Sequence, residues 1–211
     1  MAKTILGIDI GHDQMKLALV KGKRVLRVAT AHMPENLLRE NRITSRESMA
    51  ELLRTTLKQN RLHANHAAFV LPNESVFIKN VEIPPMSVDQ LEYNLPFEFN
   101  DYITGERKEY VFDYAVVSDP RDKSAGAEAE EEDAEAPEPV MELLAVGAHR
   151  SLLEDAQDTL RKAGLRLVRT APALCSYIDL IRAQMEFLSG FGDEYGILDL
   201  GYQSIRMYMF K

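Results

Sequence analysis

Residues Ile5–Val20, ILGIDIGHDQMKLALV, predict a β-hairpin that the rest of the chain is built around. The first half is an almost continuous apolar run, which is typical of a buried strand, and Asp9 is the only charged residue in it. Gly11 follows where the chain must turn, and a residue without a side chain lets backbone N–H groups close around an anion. From Met15 to Leu19 apolar and other residues alternate, which predicts a half-buried return strand.

The same pattern returns near the far end of the sequence, in Ile197–Phe210, ILDLGYQSIRMYMF. In both stretches Asp, an apolar residue and Gly are followed by three residues and then by an apolar, basic, apolar triplet. Six positions align without a gap: Asp199, Gly201, Ile205, Arg206, Met207 and Met209 match Asp9, Gly11, Met15, Lys16, Leu17 and Leu19. One acid before a glycine turn is common, whereas two gapless copies predict paired domains that face one ligand.

These two hairpins resemble the phosphate-binding hairpins of the actin-like ATPase superfamily. Within that superfamily the chain resembles the PilM family of type IV pilus assembly proteins and, more distantly, FtsA. The segment VEIPPM, residues 81–86, precedes a predicted helix that ends near Pro96, and Phe112-Asp113-Tyr114 follows later. Both segments match the PilM family better than FtsA.

The fold class that the resemblance implies is α/β, with an α+β insert. An actin-like, ribonuclease H-like first lobe is expected over residues 1–66. An inserted strand–helix–strand–strand subdomain is expected over 67–170. Residues 171–211 are expected to form a linking helix and the start of a second lobe.

Residues 123–139 form a dense acidic run without aromatic residues. Such a segment cannot bury enough apolar surface to offset its ordering entropy, so a disordered loop is predicted. In the superfamily the second lobe continues well past the position of Lys211, so we expect the chain to be a piece of a longer protein. The open strand edge near Phe210 is then expected to pair with another copy or with a partner.

For the site, the resemblance implies ATP phosphate binding by seven residues: Asp9, Gly11, His12, Lys16, Asp199, Gly201 and Ser204. Asp9 and Asp199 would orient Mg²⁺ through water, because oxygen ligands suit this ion, and Lys16 would reach a phosphate. The first turn, however, carries His12 and Asp13 where the superfamily usually has Ser or Thr. A carboxylate about 4 Å from a phosphate charge costs on the order of 4 kcal/mol at an effective dielectric constant of about 20. We therefore expect ATP and Mg²⁺ to be absent from this chain, and we assign no catalytic residue.

The function implied by the resemblance is that of an adaptor. A PilM-like subunit is cytoplasmic and peripheral to the inner face of the cell membrane. It captures the N-terminal cytoplasmic peptide of a PilN-like inner-membrane protein, in a groove between the first lobe and the insert, and it contacts other pilus assembly proteins. The alternatives are an actin-like ATPase or kinase, which needs a general base and an adenosine site, and an FtsA-like division or type II secretion adaptor.

Composition limits these interpretations. The 211 residues are 45% hydrophobic, which suits a packed globular protein, and the net charge of −8 disfavours nucleic acid or an anionic membrane as a general partner. The one cysteine, Cys175, cannot form an internal disulfide. No apolar stretch is long enough to cross a bilayer, so a soluble, cytoplasmic protein is expected.

Overall fold

The computed structural model describes residues 3–121, 139–188 and 194–210. The acidic loop predicted over 123–139 therefore lies, apart from its last residue, outside the described residues. Among those that are described, no helix combines the length and the apolar character needed to cross a membrane.

Inter-residue contacts divide the chain into a first unit, residues 1–75 and 152–211, and a second unit, residues 76–151. In chain order, the strands and α-helices of the described residues are β1 (Thr4–Ile10), β2 (Gln14–Lys21), β3 (Arg24–His32), β4 (Leu38–Arg39), β5 (Arg42–Ile43), α1 (Arg46–Gln59), β6 (His66–Leu71), β7 (Val76–Ile83), α2 (Val88–Asn94), β8 (Tyr110–Ser118), β9 (Met141–His149), α3 (Arg150–Lys162), β10 (Arg166–Pro172), α4 (Ala173–Leu188), β11 (Tyr195–Leu200) and β12 (Ile205–Phe210).

The first unit is built on a five-stranded sheet of order β10–β6–β1–β2–β3. The first three strands along the chain form an antiparallel meander, while β1, β6 and β10 run parallel. Register places Leu6 opposite Leu19 and Ile8 opposite both Leu17 and Phe69. All five side chains are buried, so one face of the sheet forms the core of this unit.

Helices α1 and α3 lie on that buried face. Ser45 caps α1, because its side chain accepts a hydrogen bond from the Ser48 N–H, and Leu53 is buried from the helix. The two helices are joined where Arg46 Nε donates to Asp155 Oδ1 at 2.9 Å. On the opposite face of the sheet, the outer strand β3 is not covered in the same way, because its Val25 and Val28 side chains are exposed.

The second unit is a three-stranded antiparallel sheet, β7–β9–β8, with α2 against it. A capping box of Ser87 and Gln90 starts α2, and the chain continues at Pro96 as a 3₁₀ helix, Leu95–Phe99. The core of this unit consists of Val81, Ile83, Leu91, Leu95, Phe99, Met141, Leu143 and Ala145.

The order of elements in the second unit, β7–α2–β8–β9, is the strand–helix–strand–strand order that was predicted for the insert. Its bounds differ from the predicted 67–170, because β6 and β10 belong to the sheet of the first unit and α3 packs beside α1. The contact-defined insert is residues 76–151. Strands β6 and β10 pair in parallel with strands that are remote in sequence. The local sequence pattern of a strand does not indicate which remote strand it pairs with.

Replacing Phe99 with alanine should destabilise the second unit by about 3–5 kcal/mol, because its fully buried ring leaves a cavity. Phe97 lies in the same 3₁₀ helix but is 42% exposed under the Arg107 guanidinium. Phe97→Ala should therefore cost only about 1 kcal/mol. Urea unfolding followed by circular dichroism measures both variants, and equal losses would contradict the packing described here.

Candidate functional site

The two predicted hairpins have the same strand register. In β1–β2, Asp9 lies opposite Lys16, and in β11–β12, Asp199 lies opposite Arg206. Each acid is the penultimate residue of its strand, two residues before the glycine, and each basic residue lies among the first three residues of the return strand. The repeat in the sequence is therefore a repeat in backbone geometry.

Both turns are tight at their glycines. Gly11 N donates to Gln14 O at 3.0 Å, and Gly201 N donates to Ser204 O at 2.8 Å. A Cβ atom at Gly11 would lie 3.1 Å from the Gln14 carbonyl oxygen, and a Cβ atom at Gly201 would lie 3.0 Å from the Ser204 carbonyl oxygen. The geometry of both turns thus favours glycine, independently of any ligand.

Both hairpins line one cavity of about 330 Å³ in the first unit. All seven residues predicted for the site are in its lining: Asp9, Gly11, His12, Lys16, Asp199, Gly201 and Ser204. The parallel strands explain how the first hairpin comes to lie beside the turns after β6 and β10, because the carboxyl ends of β1, β6 and β10 meet at one edge of the sheet. The second hairpin is a separate two-stranded sheet, so its place at the cavity depends on other contacts. Asn73 and Ala173, which follow β6 and β10, therefore line the same cavity.

The two ion pairs across the hairpins differ in strength. Lys16 Nζ lies 3.7 Å from Asp9 Oδ2, and the two side chains are 64% and 47% exposed, so this contact is weak. Arg206 Nη1 lies 3.0 Å from Asp199 Oδ2, and its Nε also pairs with Glu74. Arg206 therefore clamps the second hairpin to the turn that follows β6.

Charge in this clamp is maintained at neutral pH. Partial burial raises the pKa of Glu74, but the hydrogen bond and charge of Arg206 outweigh this and leave the pKa below its usual value. The hydrogen bond to Glu74 in turn raises the pKa of Arg206, against the effect of desolvation. Two of the five guanidinium N–H donors of Arg206 are thus directed at carboxylates, so a phosphate that approached Arg206 would compete with Glu74 and Asp199 for its charge.

Three further side chains fix the second hairpin. The ring of Tyr177, from α4, lies 4.7 Å from the ring of Tyr208, and burial together with a hydrogen bond to Asp199 raises the pKa of Tyr177 to about 12. Asn73 Nδ2 lies 2.8 Å from the Tyr208 hydroxyl, and Asn73 Oδ1 accepts from Leu174 N at 3.1 Å. The sequence interpretation assigned no site role to these residues. In the sequence, a site role for Asn73 is indicated only by its position, since it is a polar residue that follows the apolar strand β6 and Pro72.

The lining suits a hydrated cation better than a polyphosphate. Asp13 also faces the cavity, 3.6 Å from His32, so three carboxylates oppose Lys16 and the already engaged Arg206. No group of three or more His, Cys, Asp or Glu residues within the described ranges could hold a metal ion directly. One or two of these carboxylates could still bind magnesium, directly or through water, whereas phosphate would meet a net negative wall.

The family described as type IV pilus assembly protein PilM matches residues 7–210. No curated protein sequence gives a significant match.

Solved structures resemble the chain at low sequence identity. A PilM–PilN type IV pilus biogenesis complex matches with a TM-score of 0.79 at 20% identity, over 97% of this chain and 57% of the matched one. The cytoplasmic domain of EpsL, an inner-membrane component of the type II secretion system of Vibrio cholerae, matches with a TM-score of 0.50 at 16% identity, over 81% and 57%. A Bacteroides thetaiotaomicron protein with an actin-like ATPase fold covers 100% and 66% at 12% identity, with a TM-score of 0.45.

The chain thus spans a little over half the length of the first two structures. The predicted fold class and the predicted family are both confirmed by these matches.

Folding stability should fall more steeply at alkaline pH in the native protein than in Tyr177→Phe. The pKa of Tyr177 is raised in the folded state, so its stabilising effect is complete below pH 10.0 and is lost as the pH rises to about 12. Urea midpoints measured across this window give the two slopes. Tyr93→Phe, at a side chain that is 72% exposed, is the control and should keep the native slope. Parallel slopes for Tyr177→Phe and the native protein would contradict the placement of Tyr177.

Proposed function

We propose, because the chain belongs to the PilM family of type IV pilus assembly proteins, that it is an adaptor in pilus assembly. Its partner would be the N-terminal cytoplasmic peptide of a PilN-like inner-membrane protein. Further contacts with other pilus assembly proteins, and a cytoplasmic position against the inner face of the membrane, belong to the same proposal.

The observation that carries this proposal is the match to the PilM–PilN complex along 97% of the chain, which includes both units. An adaptor also agrees with the polar network of the cavity, where Arg206 pairs with Glu74 and Asp199 and stabilises the hairpin.

Self-association is part of the proposal because one face of the second hairpin is apolar and exposed. Register places Leu198 opposite Met207 and Leu200 opposite Ile205, and all four side chains are 60–73% exposed. A two-stranded sheet is marginal in water, so a cover on this face would stabilise it. A second copy of the chain would supply a matching face.

The peptide of a PilN-like protein, labelled with fluorescein, should bind this protein saturably, with micromolar affinity or tighter, about −8 kcal/mol or better. Fluorescence anisotropy measures it. A scrambled peptide of the same composition is the control, and the corresponding peptide of a type II secretion protein tests the alternative adaptor role. Preference for the secretion peptide, or no binding of either, would exclude the pilus assignment. Sedimentation of the same samples reports self-association, which a monomer at every concentration would exclude.

Nucleotide phosphate binding is a second candidate function. It is favoured by one observation, the convergence of all seven predicted residues on a single cavity. It is opposed by Asp13, which adds a carboxylate to that cavity.

Substituting Asp13 with serine should therefore strengthen binding of magnesium ATP by about tenfold or more, because one repulsive charge near the phosphates is removed. Isothermal calorimetry of the native protein and of Asp13→Ser makes the comparison. Adding Lys16→Gln to that variant should remove the gain, whereas adding Lys21→Gln, at the other end of β2, should not. If no variant binds the nucleotide, the cavity has a structural role only.

A further inference from the structure

The edge of the first unit's sheet that lies opposite the cavity collects basic side chains. Since β1, β6 and β10 end at the cavity, their first residues lie at the far edge. Register places Thr4 opposite Lys21, and Lys21 opposite Arg24, at that edge. His66 and Arg166 are likewise paired there.

The end of α1 joins the same edge. Arg27 of β3 donates from Nη1 to Asn60 O at 2.9 Å, which holds the residue after α1, and with it Arg61, beside the meander. We call the six basic residues of this edge the basic pole: Lys3, Lys21, Lys23, Arg24, Arg61 and Arg166. All six are exposed, and within the part of the chain that the structure describes none is paired with a carboxylate.

The sequence around the basic pole is free of acids. Residues 20–34, 52–73 and 159–178 contain no Asp or Glu. The overall charge of −8 conceals this, because the run over 123–139 holds seven acids and one lysine, or −6, which leaves −2 for the rest of the chain. The positive charge of the pole is therefore local and uncompensated.

Apolar side chains stand beside these charges. Val25, Leu26 and Val28 are 62%, 48% and 69% exposed on β3, the outer strand of the sheet. A bulge leaves Leu26 without a partner in β2, because Val20 pairs with Val25 while Leu19 pairs with Arg27. Basic residues next to exposed aliphatic ones are the composition of protein surfaces that settle into a bilayer interface.

We propose that the basic pole docks this protein on an anionic membrane surface. Lipid phosphates contact the lysines and arginines, and the side chains of Val25 and Leu26 enter the headgroup region. The proposal is independent of the peptide interaction above, because it uses only the β1–β2–β3 meander and the chain segments beside it.

Other partners fit this surface less well. Of the aromatic residues in the three acid-free segments, Phe69 is buried and Tyr177 lines the cavity at the opposite edge. The bases of a nucleic acid would therefore find no exposed ring to stack on at the outer meander. Two copies pairing through β3 would bring Arg24 and Arg27 of each copy into opposition, which is repulsive. A broad array of separate charges matches a lipid surface, which presents phosphates at no fixed spacing.

The test is co-sedimentation of the 211-residue chain with vesicles made of equal parts phosphatidylglycerol and phosphatidylcholine. The protein should sediment with these vesicles, should not sediment with pure phosphatidylcholine, and should be released by added salt. Lys21→Gln/Lys23→Gln/Arg24→Gln should weaken binding about a hundredfold, since each charge near the surface contributes about fivefold. Leu26→Ser should weaken it by a few-fold through lost insertion.

A triple variant with the same change in net charge is the matched control: Lys16→Gln/Arg39→Gln/Arg42→Gln. Lys16 lines the cavity, and Arg39 and Arg42 flank Asn41, which also lines it, so these charges lie at the edge opposite the basic pole and the variant should change binding less than about twofold. Circular dichroism confirms that each variant is folded. Failure of the native protein to sediment, equal loss in both triple variants, or displacement from vesicles by random duplex DNA at equal charge overturns the proposal. The vesicles contain no pilus peptide, so failure here leaves the adaptor proposal untouched.

Discussion

Parallel pairing of β1 with β6, and of β6 with β10, is the constraint on which the rest of the first unit depends. It sets Ile8 against Phe69 in the core, and it brings the ends of three strands to one edge. The acid and glycine of the first hairpin, Asn73 and the start of α4 reach a common cavity for this reason alone. These pairings join segments far apart in sequence, so forming them costs loop-closure entropy. Burial of the apolar side chains on one face of the sheet offsets this cost.

The second hairpin is attached by a different kind of interaction. Its contacts with the rest of the first unit are largely polar: Arg206 with Glu74, Tyr208 with Asn73, and a hydrogen bond between Tyr177 and Asp199. Its other face remains exposed. The residue that the repeat matches to Lys16 is thus paired with two carboxylates and holds the second hairpin in place.

The hairpins and their register could be predicted from the sequence because alternation, the acid and the glycine are all local signals. The order of elements in the second unit was predictable from its turns and from the Ser87 capping box for the same reason. The bounds of that unit were not, since nothing within HAAFVL of β6 states whether its partner is β7 or β1. Glu74 and Tyr177 could not be predicted from the sequence, because their partners, Arg206 and Asp199, belong to the second hairpin and contact them only in the folded unit.

Strand direction also explains how charge is distributed within the first unit. The cavity edge carries Asp9, Asp13 and Asp199, whereas the opposite edge carries the six bases of the basic pole. The net charge of the chain is a sum over both edges and does not show that their charges differ. For this reason the sequence analysis disfavoured an anionic membrane as a general partner. Separated charge of this kind orients a molecule in a field. With the pole against an anionic bilayer, the carboxylates of the cavity would point away from the membrane, so electrostatic repulsion at one edge and attraction at the other would favour the same orientation.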